Sequence, residues 1–178
     1  MVAGPHVTPA REPSLGPLVI GVGNPNRHDD GVGLEIVRRL RPLLPHAERG
    51  VAFEGDGTGL LDLWEGEATV VVVDAVHSGA PPGTIHRIDA SGPTRFPTSA
   101  PSSTHGLSVA EAVLLARSLG RLPKRLVVYG VEGSDFSPGV GLSGGVARAV
   151  ARAVESIANE LNHAPGLDSG VDTGVGHA

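Results

Sequence analysis

The sequence contains no cysteine. That excludes a disulfide framework, a thiolate metal site and a cysteine nucleophile. It also lacks any long apolar run. The stretch TVVVV, residues 69–73, is far too short to span a bilayer, so no membrane insertion is expected. No apolar segment of the signal-peptide kind follows the N-terminus, and the expected location is the cytoplasm. Basic charge is in short supply as well. Lys and Arg together number 14 against 19 Asp and Glu, and Lys124 is the only lysine. The basic residues are scattered rather than striped, which leaves no electrostatic footprint for nucleic acid.

What is present reads as one domain with a real core. Residues 1–16 are rich in Pro, Gly and polar residues, and APGLDSGVDTGVGHA at the other end has no periodicity. Disordered tails are therefore expected over 1–16 and 163–178, around a domain spanning 17–162. Within it, PLVIGV, VAFEGD, ATVVVVDAV, GTIHRIDA and KRLVVYGV read as strands. The third, β-branched on both faces, has the pattern of a central parallel strand. Helices fall between them. Val32, Ile36, Val37, Leu40 and Leu44 form one apolar stripe, and Leu60, Leu61 and Trp64 mark a short helix. SVAEAVLLARSLG opens on a capping box, Ser108 with Glu111. Val146, Val150, Ala153, Val154, Ile157 and Leu161 form the clearest stripe, with Ser143 as its expected cap. Alternating strands and helices predict a single-domain α/β layered fold, a mostly parallel β-sheet with helices on both faces. A Pro/Ser/Thr-rich loop runs over 89–104.

The stretch GVGNPNRHDDGVG, residues 21–33, joins the first strand to the first helix. Its glycines suit a phosphate-binding turn, but the dinucleotide fingerprint lacks its third Gly, since Asn26 stands there, and there is no Walker lysine. Two adjacent carboxylates would also repel a phosphate at the helix entry. No G-x-S-x-G elbow marks a serine hydrolase. In open α/β sheets, sites form at the carboxyl ends of the strands. Three polar groups map there: Asp30, Asp74 at the end of the Val run, and His105 before the capped helix. Two carboxylates and an imidazole suit a borderline divalent metal such as Zn or Ni. Each has a plainer reading. Asp29 or Asp30 could cap the following helix, Asp74 could bond amides in a turn, and His105 could be a helix-entry histidine. His28 and His77 could support the two aspartates or simply face solvent.

Residues 21–33 resemble the G-x-G-N-x-x-x-x-D-[DE]-G-x-G signature of hydrogenase maturation proteases, the endopeptidases that trim the large subunit of nickel-iron hydrogenases. EGDGTGLLDLW, VVVVDAV, STHGLSVAEAV and VYGVEGSDFSPGVGLS are similar to the family's later blocks, in order, from about Leu18 to Leu161. The chain departs near Asn26, where many members carry a larger apolar residue. The resemblance implies that Asp30, Asp74 and His105 contact nickel and carry the chemistry, with Asp29 as a second-tier candidate. It implies that the nickel is supplied by the substrate, a [NiFe]-hydrogenase large-subunit precursor, and that no organic cofactor is tightly bound. Cleavage would remove a C-terminal extension, usually after a basic residue, by a metal-polarised carbonyl or metal-activated water, or with a carboxylate as general base. A monomer is expected. The alternatives are a self-contained metallohydrolase with resident Zn, a metal-checking binding module that does not cleave, and a nucleotide-binding α/β domain.

Overall fold

The computed structural model describes residues 16–55, 57–93, 96 and 107–162. The two tails, most of the 89–104 loop and His105 lie outside those residues. The five expected strands all form: β1 (Leu18–Val22), β2 (Gly50–Phe53), β3 (Thr69–Val76), β4 (Ile85–Asp89) and β5 (Arg125–Glu132). Among the described residues four α-helices accompany them: α1 (Val32–Leu40), α2 (Gly57–Leu63), α3 (Val109–Ser118) and α4 (Gly144–Asn162). The sheet order is β2-β1-β3-β5-β4. The first four of these strands run parallel, and β4 lies antiparallel on the outer edge against β5.

Strand alternation sorts the core into two layers. Val19, Val71, Val73, Val127 and Tyr129 pack with the apolar stripes of α1 and α4. Leu18, Ile20, Val70, Val72, Leu126 and Val128 pack with α2 and α3. The helices thus cover both faces, as a sheet whose central strands are apolar on both sides demands. The Ser108–Glu111 capping box forms as expected at α3. The α1 stripe ends sooner than the sequence suggests. Pro42 lies in a 3-10 turn over Arg41–Leu43, and Leu44 follows in extended backbone, partly buried against the same layer.

Chain direction changes between β1 and β3. The chain leaves β1 through α1 to β2 on one side, then returns through α2 to β3 on the other. The carboxyl ends of β1 and β3 therefore flank the switch point, where open α/β sheets bind their ligands. Glycine makes the close approach there possible. A Cβ on Gly33 would sit 2.4 Å from the carbonyl oxygens of both Val22 and Val73. The first turn of α1 is thus seated directly on the ends of the two strands.

We expect Gly33→Ala to lower the unfolding free energy by about 3 kcal/mol through overpacking. Gly144→Ala, where only the tip of Arg148 comes as near as 3.4 Å, should stay within about 0.5 kcal/mol of the parent. Urea titration followed by circular dichroism measures both.

Candidate active site at the carboxyl edge of the sheet

The segment from Gly23 to Gly31 crosses the edge of the sheet as a turn and a short 3-10 helix, His28–Gly31. It is bonded along its length to the segment that follows β5. The amide of His28 donates to Gly139 O at 3.0 Å, that of Asp29 to Asp135 O at 3.0 Å, and that of Gly139 to Asn26 O at 2.8 Å. His28 takes a left-handed backbone (φ 44°), with its ring lodged against Gly139. That conformation costs about 1–3 kcal/mol in isolation, and the bonds on either side hold it.

The two adjacent aspartates do different things. Asp29 is completely buried. Its Oδ2 accepts from the amide and hydroxyl of Ser134 (2.9 and 3.2 Å) and the amide of Asp135 (3.0 Å), and its Oδ1 accepts from the amide of Ser143 (2.7 Å). Burial by itself would raise its carboxyl, but the amides of Ser134, Ser143 and Asp135 outweigh it and hold the group below the usual range. Asp30 carries one such bond, from the amide of Asn24 to Oδ2 at 3.0 Å. Burial raises its carboxyl, against the Asn24 amide and the charge of Arg27. Neither aspartate caps α1. Its N-cap is Gly31, with no side-chain cap.

Asp74 sits inside β3, not in a turn, paired in register with Gly130 of β5. Burial, and then the charge of Asp30, push its carboxyl up to about 7, against the amide of Ala75. The structure thus brings Asp30 and Asp74 together across the switch point, close enough for Asp74 to feel the charge of Asp30. Asp74 also lines a cleft of about 50 Å³ with Ser78, His86, Phe96, Ser108 and Gly130. Among the described residues no set of three or more His, Asp or Glu gathers on one point. The third candidate, His105, lies outside them. His77 is exposed and packs edge-on against Phe136.

Sequence reasoning gave no part to Glu132. This last residue of β5 is completely buried. Its Oε1 accepts from the amides of Ser78 (2.7 Å) and Gly79 (2.8 Å), and its Oε2 from Ser78 Oγ (2.8 Å) and His86 Nε2 (3.3 Å). Burial opposes its ionisation, but these bonds hold the carboxyl below its ordinary value. It fixes the chain leaving Asp74's strand, as Asp29 fixes the chain leaving β1. The signal was available: RLVVYGVE ends a buried apolar run on a carboxylate, just as TVVVVD does.

A family model described as hydrogenase maturation protease (HycI) matches residues 55–160, a span that includes Asp74 and His105 and begins after Asp30. The Hydrogenase 2 maturation protease of Escherichia coli is 30% identical over 87% of this chain and 93% of its own length. Hydrogenase expression/formation protein HupD of Thiocapsa roseopersicina is 33% identical over 65% of this chain, so the chain spans about half (53%) of that relative's length. Among solved structures, the hydrogenase maturating endopeptidase HybD from E. coli aligns with a TM-score of 0.65 and 26% identity, covering 83% of this chain and 92% of that one.

Two stability measurements separate these carboxylates. Asp29→Ala removes a buried carboxylate that accepts from three part-buried amides and should cost about 2 kcal/mol at pH 7. Asp74→Asn should do the opposite. The folded-state carboxyl stands at about 7 against an ordinary 3.8, so wild-type stability falls as pH rises through that interval. The variant lacks that loss. It should be more stable than wild type above pH 7, by up to about 4 kcal/mol, with the gain vanishing toward pH 4. Urea midpoints at pH 8 and pH 4 read this directly.

Proposed function

Because the chain belongs to the hydrogenase maturation protease family, we propose that it is an endopeptidase that removes the C-terminal extension of a nickel-loaded [NiFe]-hydrogenase large-subunit precursor. In this reading it acts in the cytoplasm as a monomer, with no organic cofactor of its own. The nickel belongs to the substrate. Asp30, Asp74 and His105 reach it and so test that the precursor is loaded before its peptide bond is cut.

The observation that carries the reading is the pairing of Asp30 and Asp74 at the switch point, where burial and then the charge of Asp30 raise Asp74 to about 7. A buried carboxylate raised further by a neighbouring one forms a site that a divalent cation relieves. Carboxylate oxygens with an imidazole suit nickel, and three protein ligands leave positions open for groups that the precursor already supplies. Asp29 takes no place in this set, because its oxygens are occupied by the 134–143 segment. On the route that uses a carboxylate as general base, Asp30 or Asp74 is the candidate that takes a proton from the attacking water, in place of binding the nickel. The nickel supplies polarisation of the scissile carbonyl or of that water.

The test is a processing assay. The purified protein is mixed with a nickel-loaded precursor from the same source, and loss of the extension is followed by intact-mass spectrometry. Wild type should cleave once, near the C-terminus. Asp30→Asn, Asp74→Asn and His105→Ala should each lower the rate by at least about a hundredfold while remaining folded. A wild-type rate in any one variant removes that residue from the set. Stoichiometric zinc in the purified protein, with cleavage of unrelated peptides, would replace the reading with a self-contained metallohydrolase. Tight binding of the precursor without cleavage would replace it with a binding module.

A further inference from the structure

β2 is the outer strand on one side of the sheet, and among the described residues it pairs only with β1. In a strand, the N–H and C=O of one residue point to the same side, and successive residues alternate between the two sides. The Phe53 carbonyl accepts from the amide of Gly23, the residue after β1, at 3.2 Å, so Phe53 and Val51 turn their main chain toward β1. Gly50 and Ala52 therefore turn theirs outward. The Gly50 carbonyl bears this out, because it accepts from Arg41 Nε at 2.8 Å. The amide and carbonyl of Ala52 have no hydrogen-bond partner among the described residues, and Ala52 is exposed. An outer edge with free main-chain groups is a template for one more strand.

This edge leads to the crevice. The Gly23–Phe53 bond ties the end of β2 to the start of the loop that carries Asp30. A groove of about 610 Å³ runs beside the edge, lined by Ala52, Glu54 and Arg41 and reaching Gly31, the residue after Asp30. Its charges are ordered along the strand. Glu54 stands at the crevice end, just past β2. At the other end stand Arg41 and the last turn of α1, with Arg38 and Arg39. Arg38 and Arg39 share one carboxylate, Glu35, and Arg41 has no carboxylate partner among the described residues. The surplus there is positive. It suits a segment that ends on a carboxylate, as every C-terminal extension does.

We propose that the C-terminal extension of the precursor docks as an added strand on the outer edge of β2, antiparallel to it and running from the crevice toward Arg41, with the N–H and C=O of Ala52 bonded to its main chain. The proposal rests on the endopeptidase reading above and adds to it the surface that holds the segment to be removed. Main-chain bonds hold that segment whatever its side chains, and the crevice sets where it is cut.

The experiment uses the full chain and the nickel-loaded precursor, either intact or truncated two residues beyond the cut. Hydrogen exchange is sampled in a pulse shorter than one turnover and resolved to single residues by fragmentation in the mass spectrometer. The Ala52 amide should exchange freely in the enzyme alone, slow by at least about tenfold with the intact precursor, and stay fast with the truncated one. Ala52→Pro removes that N–H and spares the ladder to β1, since proline is tolerated on an edge strand where the N–H faces outward. It should raise Kd and KM for the intact precursor by up to about tenfold, with kcat within about twofold. Circular dichroism checks its fold, and for an unfolded variant the exchange result alone decides. An Ala52 amide that the precursor does not slow, with wild type cleaving normally, overturns the proposal and leaves the endopeptidase reading intact. So does equal slowing by the truncated precursor, or unchanged affinity and KM in a folded Ala52→Pro. An Ala52 amide already slow in the enzyme alone also overturns it, because a second copy or a terminal segment of the chain itself then holds the edge. Slowing in a wild type that binds but does not cleave supports the docking and overturns the endopeptidase reading. A wild type that neither binds nor cleaves overturns both.

Discussion

The buried carboxylate of Asp29 accepts four hydrogen bonds from Ser134, Asp135 and Ser143, residues more than a hundred positions further along the chain. Three of the donors are part-buried backbone amides, and hydrogen bonds to a charged acceptor are among the strongest in a protein. This clasp joins the segment leaving β1 to the segment leaving β5. Glu132 forms a second clasp of the same kind, between the end of β5, the segment leaving β3 and His86 on β4. Between them they fix three segments at the carboxyl edge of the sheet, and the loop that carries Asp30 is one of these.

That rigidity is what lets an unfavourable arrangement persist. Asp30 and Asp74 are held near each other in a partly desolvated crevice, and Asp74 is raised to about 7 as a result. A flexible loop would swing Asp30 into water. Here its main chain is tied through Asp29 and His28, and a Cβ on Gly23 would run into Asp30's own carbonyl. Stability is given up at the switch point and recovered a few ångströms away.

Much of this was legible in the sequence. The β-branched run at 69–73 and the apolar stripes on α1 and α4 fixed a layered α/β sheet, and the strand-end rule singled out Asp30 and Asp74. The division of labour inside the Asp29–Asp30 pair was not legible. It depends on amides at 134, 135 and 143, which only the folded chain brings alongside. Ser143 was expected to cap α4 with its side chain. It does precede the helix and its carbonyl takes the first-turn bond from Ala147, but its amide donates to Asp29 and its hydroxyl accepts from Ser134 Oγ. His86 escaped notice because GTIHRIDA alternates imperfectly and reads as a more exposed strand than the others. The partner that gives the ring its orientation lies 46 residues away.

The central claim is that the Asp30–Asp74 crevice reads a metal carried by the substrate. The most direct measurement offers the purified, metal-free protein two precursors that differ only in nickel, and follows their intact masses side by side. We expect the loaded precursor to lose its C-terminal extension and the metal-free one to stay whole. Equal cleavage of the two would contradict the claim and leave the carboxylate pair without a metal to read.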